Sequence, residues 1–99
     1  MNNLKKIVVK VGTSTLTQGT KQLSRKYMLE LTMQIAKLHE KGLHIVLVSS
    51  GAVAAGREVL SHPVVDRSLP SKQMFAAVGQ VQLMQIWREL FALFNINVG

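Results

Sequence analysis

Residues 45–56 read IVLVSSGAVAAG, and this stretch narrows the fold more than any other. Together with Leu43 it forms an apolar run without in/out alternation after His44. A strand patterned in this way expects cover on both faces, as in a parallel sheet. Two serines and a glycine end the run, and almost nothing but alanine, valine and glycine follows. That second half predicts a helix beginning near Gly51 and fading by Ser61, His62 and Pro63.

The remaining chain alternates in the same style. LKKIVVKV, residues 4–11, is rich in β-branched side chains and stops at Gly12, so it predicts a strand. Residues 12–23 read as a polar loop holding Gly12, Thr13, Ser14, Thr15, Gly19 and Thr20. Ser24 suits the N-cap of a helix to about Lys41, with Met28, Leu31, Ile35 and Leu38 on one stripe and Gly42 as the left-handed stop. After a loop ending at Pro70 and Ser71, a helical region is expected from Ser71 to about Phe94, with Leu83, Trp87, Leu90, Phe91 and Phe94 on its apolar face. Gly79 is expected to divide it, because an interior glycine costs about 1 kcal/mol relative to alanine. INVG, residues 96–99, reads as the opening of a third strand. Strand, helix, strand, helix, helix and strand in that order predict an α/β fold with a mainly parallel sheet and helices on both faces.

Composition excludes several classes. Ninety-nine residues suit one small domain, and 47% hydrophobic content suffices for a core. No apolar stretch approaches the roughly 20 residues that cross a bilayer. Lys5 and Lys6 precede an apolar run too short for a secretion signal, and there is no cysteine for a disulfide or a thiolate metal site. A cytoplasmic protein is the expectation. The formal charge of +7 admits a small basic nucleic-acid-binding module. The basic residues stand singly or in pairs without interleaved aromatics, which favours ordinary solvated faces. Asp66 is the sole aspartate, which suggests that an acidic portion of a larger protein lies elsewhere.

If the two strands are parallel, Gly12 and the Ser49-Ser50-Gly51 turn lie at the same end of the sheet, where open α/β sheets bind ligands. The second turn opens a helix whose first amides lack partners and whose dipole favours an anion. Gly51, Ala52, Ala54, Ala55 and Gly56 carry no bulk to bar a ligand from the backbone. Close packing of this helix on the sheet selects the same residues, and spacing does not decide between the two. Lys10 is the other unusual residue, an ammonium within a valine run. It suits either an edge strand protected from aggregation or a charge facing phosphate oxygens beside Gly12.

Other chemistry finds little support. QGTK at 18–21 lacks the glycine spacing of a phosphate-binding P-loop, and no GxGxxG occurs. His39, His44 and His62 show no zinc-ligand spacing with carboxylates. His39 is expected on an exposed helix face, His44 in an ordinary hydrogen bond and Trp87 in the core. No Ser–His–Asp set is convincing.

Three stretches, VVKVGTSTLT (8–17), IVLVSSGAVAAG (45–56) and SKQMFAAVGQVQLM (71–84), resemble in order and spacing the amino acid kinase family, and in particular its glutamate-phosphorylating members. The likeness continues through WRELF and INVG. Aspartokinases and acetylglutamate kinases fit less well, since they usually place two glycines after the first-strand lysine, where this chain has Gly12 followed by Thr13 and Ser14.

The resemblance implies a three-layer αβα sandwich and ATP-dependent phosphorylation of the γ-carboxylate of L-glutamate, with Mg2+, in proline biosynthesis. It matches Lys10 to the lysine that contacts the transferred phosphate and Ser50 to the serine that contacts glutamate. Gly12, Thr13 and Ser14 fall in the turn on the ATP side, and Gly51 and Ala52 in the turn on the substrate side. Implied partners are glutamate and ATP, with a homo-oligomer as the form of the full-length protein. The family's kinase domain is far longer than this chain. Residues 1–99 are thus expected to be the N-terminal portion of such a domain, inactive alone, without the nucleotide lobe, the later aspartates and asparagine, or a C-terminal RNA-binding-like domain. Another small-molecule kinase of the family is the runner-up, and a non-catalytic α/β interaction domain a further alternative.

Overall fold

A computed structural model describes residues 5–60 and 69–98, with the side chains of residues 69–72 outside that description. Two β-branched segments form the sheet, β1 at Lys6–Val11 and β2 at His44–Ser49. They pair in parallel, in register from Lys6 opposite His44 to Val11 opposite Ser49. Parallel pairing needs a crossover, and the segment between the strands supplies two helices, α1 at Thr13–Thr17 and α2 at Arg25–Glu40. Beyond β2 come α3 at Ala52–Val59 and α4 at Leu69–Ala92.

The boundaries of α2 follow from local chemistry. The Ser24 hydroxyl accepts the Tyr27 N–H at 3.1 Å, a cap worth about 1 kcal/mol. At the other end Gly42 takes φ +85°. Its N–H donates to the His39 carbonyl at 2.9 Å and that of Leu43 to the Leu38 carbonyl at 3.3 Å, the paired closure that a left-handed residue permits. Met28 and Ile35 of the expected stripe are buried, joined by Thr32 and Ala36, while Leu31 and Leu38 are half-buried.

The core lies on one side of the sheet. Val9, Val11, Ile45 and Leu47 pack into a cluster with Met28 and Ile35 of α2 and Leu83, Trp87 and Phe91 of α4. On the opposite face Val8 and Val48 are 53% and 48% exposed. The expectation that both faces of β2 are covered therefore does not hold among the described residues. They build the sheet and one helical layer of a parallel α/β architecture.

Three other expectations are corrected. The polar loop over 12–23 contains α1, a single turn of helix anchored by fully buried Leu16 and by Thr17. Five residues rich in serine and threonine are too few to display a helical period, so only burial of Leu16 reveals the turn. Gly79 does not divide α4, which runs unbroken through it. A Cβ there would overlap the Ala52 carbonyl, so the glycine serves the crossing of α3 and α4. Residues 96–98 form no strand; the Ile96 N–H instead donates to the Phe91 carbonyl at 3.1 Å, and Ile96 and Val98 pack on the core. α4 begins at Leu69, ahead of the expected Ser71. The fade at Ser61, His62 and Pro63, Asp66, the Leu4 start of the first strand and Gly99 lie outside the described residues. None of the described helices is long and apolar enough to cross a membrane.

Candidate functional site

Parallel pairing sets the carboxyl ends of β1 and β2 side by side. The ladder runs one step beyond the strands, where the Ser50 N–H donates to the Val11 carbonyl at 2.9 Å. That bond joins the turn Gly12-Thr13-Ser14 to the turn Ser50-Gly51-Ala52, although nearly forty residues separate them in sequence. Lys10 is exposed and pairs in register with Val48, on the sheet face away from the helices. Ser50, Thr13 and Ser14 are also exposed.

The two glycines of the site have different reasons to be glycine. Gly51 takes φ +107° as the residue before α3, and a Cβ there would stand 3.1 Å from Leu16 Cδ1 and 3.3 Å from Leu23 Cδ2. Backbone conformation and packing both demand it. Gly12 has φ −82°, which any residue adopts, and a Cβ would meet nothing within 4 Å. The approach to its backbone is therefore open, and the described fold alone does not require a glycine there.

The small residues of α3 mostly serve packing. Ala54, Ala55 and Gly56 are buried. A Cβ on Gly56 would press into the Phe75 backbone of α4, and one on Gly79 would overlap Ala52. A close approach of two helix backbones explains Gly56 and Gly79, while Ala54 and Ala55 join the core cluster that includes Val11 and Leu16. What remains open to a ligand is the start of α3, where half-buried Ala52 sits in the first turn and that turn carries no acidic residue. Its leading amides have no intrahelical acceptors.

Sequence reasoning missed the groups that hold these turns. The Trp87 Nε1–H donates to Ser49 Oγ at 3.1 Å, and Ser49 Oγ donates to the Ser50 carbonyl at 2.9 Å. Glu58 of α3 accepts the Leu23 N–H at 3.0 Å through Oε1 and meets Arg25 Nη1 at 3.0 Å through Oε2. It thereby ties the segment after α1 to α3. A buried tryptophan needs a partner for its N–H, which was the available signal for the first link; nothing in the spacing announced the second. Trp87 is in the core as expected, 2% exposed. His39 and His44 are exposed. The hydrogen bond found at His44 is made by its backbone N–H, to the Lys5 carbonyl at 3.0 Å. No group of three metal-ligating side chains occurs among the described residues. An apolar groove of about 670 Å³ runs between β2 and α4, lined by Ile35, Leu47, Leu83, Trp87 and Ile96 among others, and Lys10, Gly12 and Ser50 do not line it.

The family model described as "Amino acid kinase family" matches residues 5–99. The chain belongs to the amino acid kinase family. Among its curated relatives, the glutamate 5-kinase of Haemophilus influenzae (strain PittEE) is 55% identical over 97 residues, covering 98% of this chain and 26% of the relative. That of Pasteurella multocida (strain Pm70) is 50% identical over 95 residues, covering 96% and 26%. That of Proteus mirabilis (strain HI4320) is 48% identical over 99 residues, covering 100% and 27%. The chain thus spans about a quarter of the length of these relatives. Within the family frame, the parallel strands with a crossover helix are the expected α/β class, and the joined turns lie at the sheet end where such folds bind ligands.

Proposed function

We propose that the joined turns form one wall of the site of an ATP-dependent glutamate 5-kinase, a cytoplasmic enzyme of proline biosynthesis. The observation that carries this reading is the bond from the Ser50 N–H to the Val11 carbonyl, which sets a lysine, an open glycine and a helix start beside one another. The similarity to glutamate 5-kinases supports the choice of substrate.

In the reaction, a γ-carboxylate oxygen of L-glutamate bonds to the γ-phosphorus of ATP. The bond from that phosphorus to the bridging oxygen breaks, and ADP leaves with the electron pair. The product is glutamyl 5-phosphate. Proteins catalyse such transfers chiefly by positioning and by stabilising charge. Lys10 supplies the positive charge for the oxygens of the phosphoryl group in transit. The open backbone at Gly12, with Thr13 and Ser14, borders the ATP phosphates. The Ser50 hydroxyl and the amides of Gly51 and Ala52 orient glutamate. Mg2+ would accompany ATP.

The test uses the full-length chain with both substrates varied and the acyl phosphate trapped by hydroxylamine. Lys10→Ala is expected to lower kcat about a hundredfold or more with glutamate KM within about threefold. Ser50→Ala is expected to raise glutamate KM by about five- to tenfold, the loss of one net hydrogen bond. Wild-type turnover in the lysine variant would remove Lys10 from the chemistry, and an unchanged glutamate KM in the serine variant would remove Ser50 from the substrate site.

A further inference from the structure

Ser49 lies one residue outside the turn just described, and its hydroxyl has both of its roles assigned. The indole N–H of Trp87 can only donate, so Ser49 Oγ accepts from it at 3.1 Å and its own proton goes to the Ser50 carbonyl at 2.9 Å. The direction of this relay is fixed from α4 outward to the turn. Its far end is the peptide unit joining Ser50 to Gly51. That unit precedes a residue at φ +107°, a place where alternative peptide orientations are accessible to glycine. In a planar trans peptide the carbonyl and the following N–H point in opposite directions. Holding the Ser50 carbonyl toward Ser49 therefore turns the Gly51 N–H the other way. The Ser50 N–H is held separately by the Val11 carbonyl at 2.9 Å, so both peptide units flanking Ser50 are fixed.

We infer that Trp87 is a positioning residue for the substrate turn: acting through Ser49, it sets the Ser50–Gly51 peptide plane and so where the Ser50 hydroxyl and the Gly51 N–H meet a carboxylate substrate. The inference rests on the glutamate kinase reading above. It gives Trp87 a role beyond filling the core, where it also stacks at a tilt on Phe91 with ring centroids 6.0 Å apart. The relay starts at a buried donor, Trp87 being 2% exposed, and ends at the exposed Ser50. The relay thus links the rigid α4 to the residues that would touch substrate.

The experiment measures glutamate and ATP kinetics in the full-length chain for Ser49→Ala, Trp87→Phe, the double variant and Ser49→Thr. Trp87→Phe keeps an aromatic ring beside Phe91 and loses the donor. Ser49→Ala leaves the core intact and loses the hub. Each single variant is expected to raise glutamate KM by about five- to tenfold, with ATP KM within twofold. The double variant is expected to be no worse than either single one, because both cut one relay. Ser49→Thr, which keeps a hydroxyl, is expected to restore a KM near wild type. Thermal stability is followed alongside. A lowered Tm in Trp87→Phe with glutamate KM unchanged in Ser49→Ala assigns Trp87 to the core only and overturns the inference, as do additive effects in the double variant. An active wild type with those results leaves the kinase reading standing. A wild-type chain that forms no ADP with glutamate overturns that reading and this inference together.

Discussion

Gly79→Ala separates helix propensity from helix packing, because the two predict opposite signs. In an open helix the change stabilises by about 1 kcal/mol. At this position the new Cβ would overlap the Ala52 carbonyl oxygen, and would lie 2.5 Å from the Gly56 nitrogen and 2.7 Å from the Ala52 carbonyl carbon. All three atoms are backbone of α3, so no side chain can rotate away. Relief requires α3 and α4 to part by on the order of 1 Å, and a gap of that size forfeits a quarter to a half of each dispersion contact across it. Overpacking of this kind costs about 1–3 kcal/mol, and a backbone-on-backbone clash belongs at the upper end. With the propensity gain subtracted, the variant should be less stable by about 2 kcal/mol, a fall in Tm on the order of 10 °C for a chain of this size. The assay is thermal unfolding followed by the emission of Trp87, the sole tryptophan, which is buried beside α3's entry turn. Gly12→Ala is the control, since its Cβ meets nothing within 4 Å, and its Tm should stay within about 3 °C. A Gly79→Ala chain melting at or above wild type would refute the close-crossing argument, and with it the packing explanation of the small residues in α3.

Gly51→Ala should lower the denaturant midpoint by the equivalent of about 1–3 kcal/mol, because it adds a strained φ and a contact with Leu16; an unchanged midpoint would show that the turn relaxes freely. Glu58→Ala should cost about 1–3 kcal/mol by leaving the Leu23 N–H without its acceptor. Arg25→Ala should cost less than about 1 kcal/mol, since the arginine side is half-exposed; equal losses in urea melts would show that the ion pair, and not the backbone bond, ties the loop. On the proposed kinase reading, Gly12→Val should leave stability nearly unaltered yet reduce kcat/KM for ATP at least about tenfold in the full-length protein, and undiminished kcat/KM would mean that no ligand approaches this backbone.

Much of the architecture was legible because it is written in local chemistry. The Ser24 cap, the Gly42 stop and the valine-rich strands depend on neighbours within a few residues, and each lies where the residues predict. The joined turns were legible one step further, since parallel strands must end on the same side. The short helix at Thr13–Thr17 was not, because its only strong signal is burial of Leu16 by segments distant in sequence. Gly79 was misread for a related reason: propensity describes a helix in water, whereas this one lies against another backbone.

The sequence by itself determined the two strands and their ends, the long helix between them and the residue types gathered in the two turns, because backbone sterics, capping and hydrophobic period act over a few residues. Only the tertiary structure decided what those residues are for. It assigned Gly56 and Gly79 to a helix crossing and Ala54 and Ala55 to the core, left Gly12 open, and brought Trp87 and Ser49 within 3.1 Å of each other. Such assignments depend on which surfaces meet after folding, and contact between segments far apart in the chain leaves no period or spacing in the sequence to read.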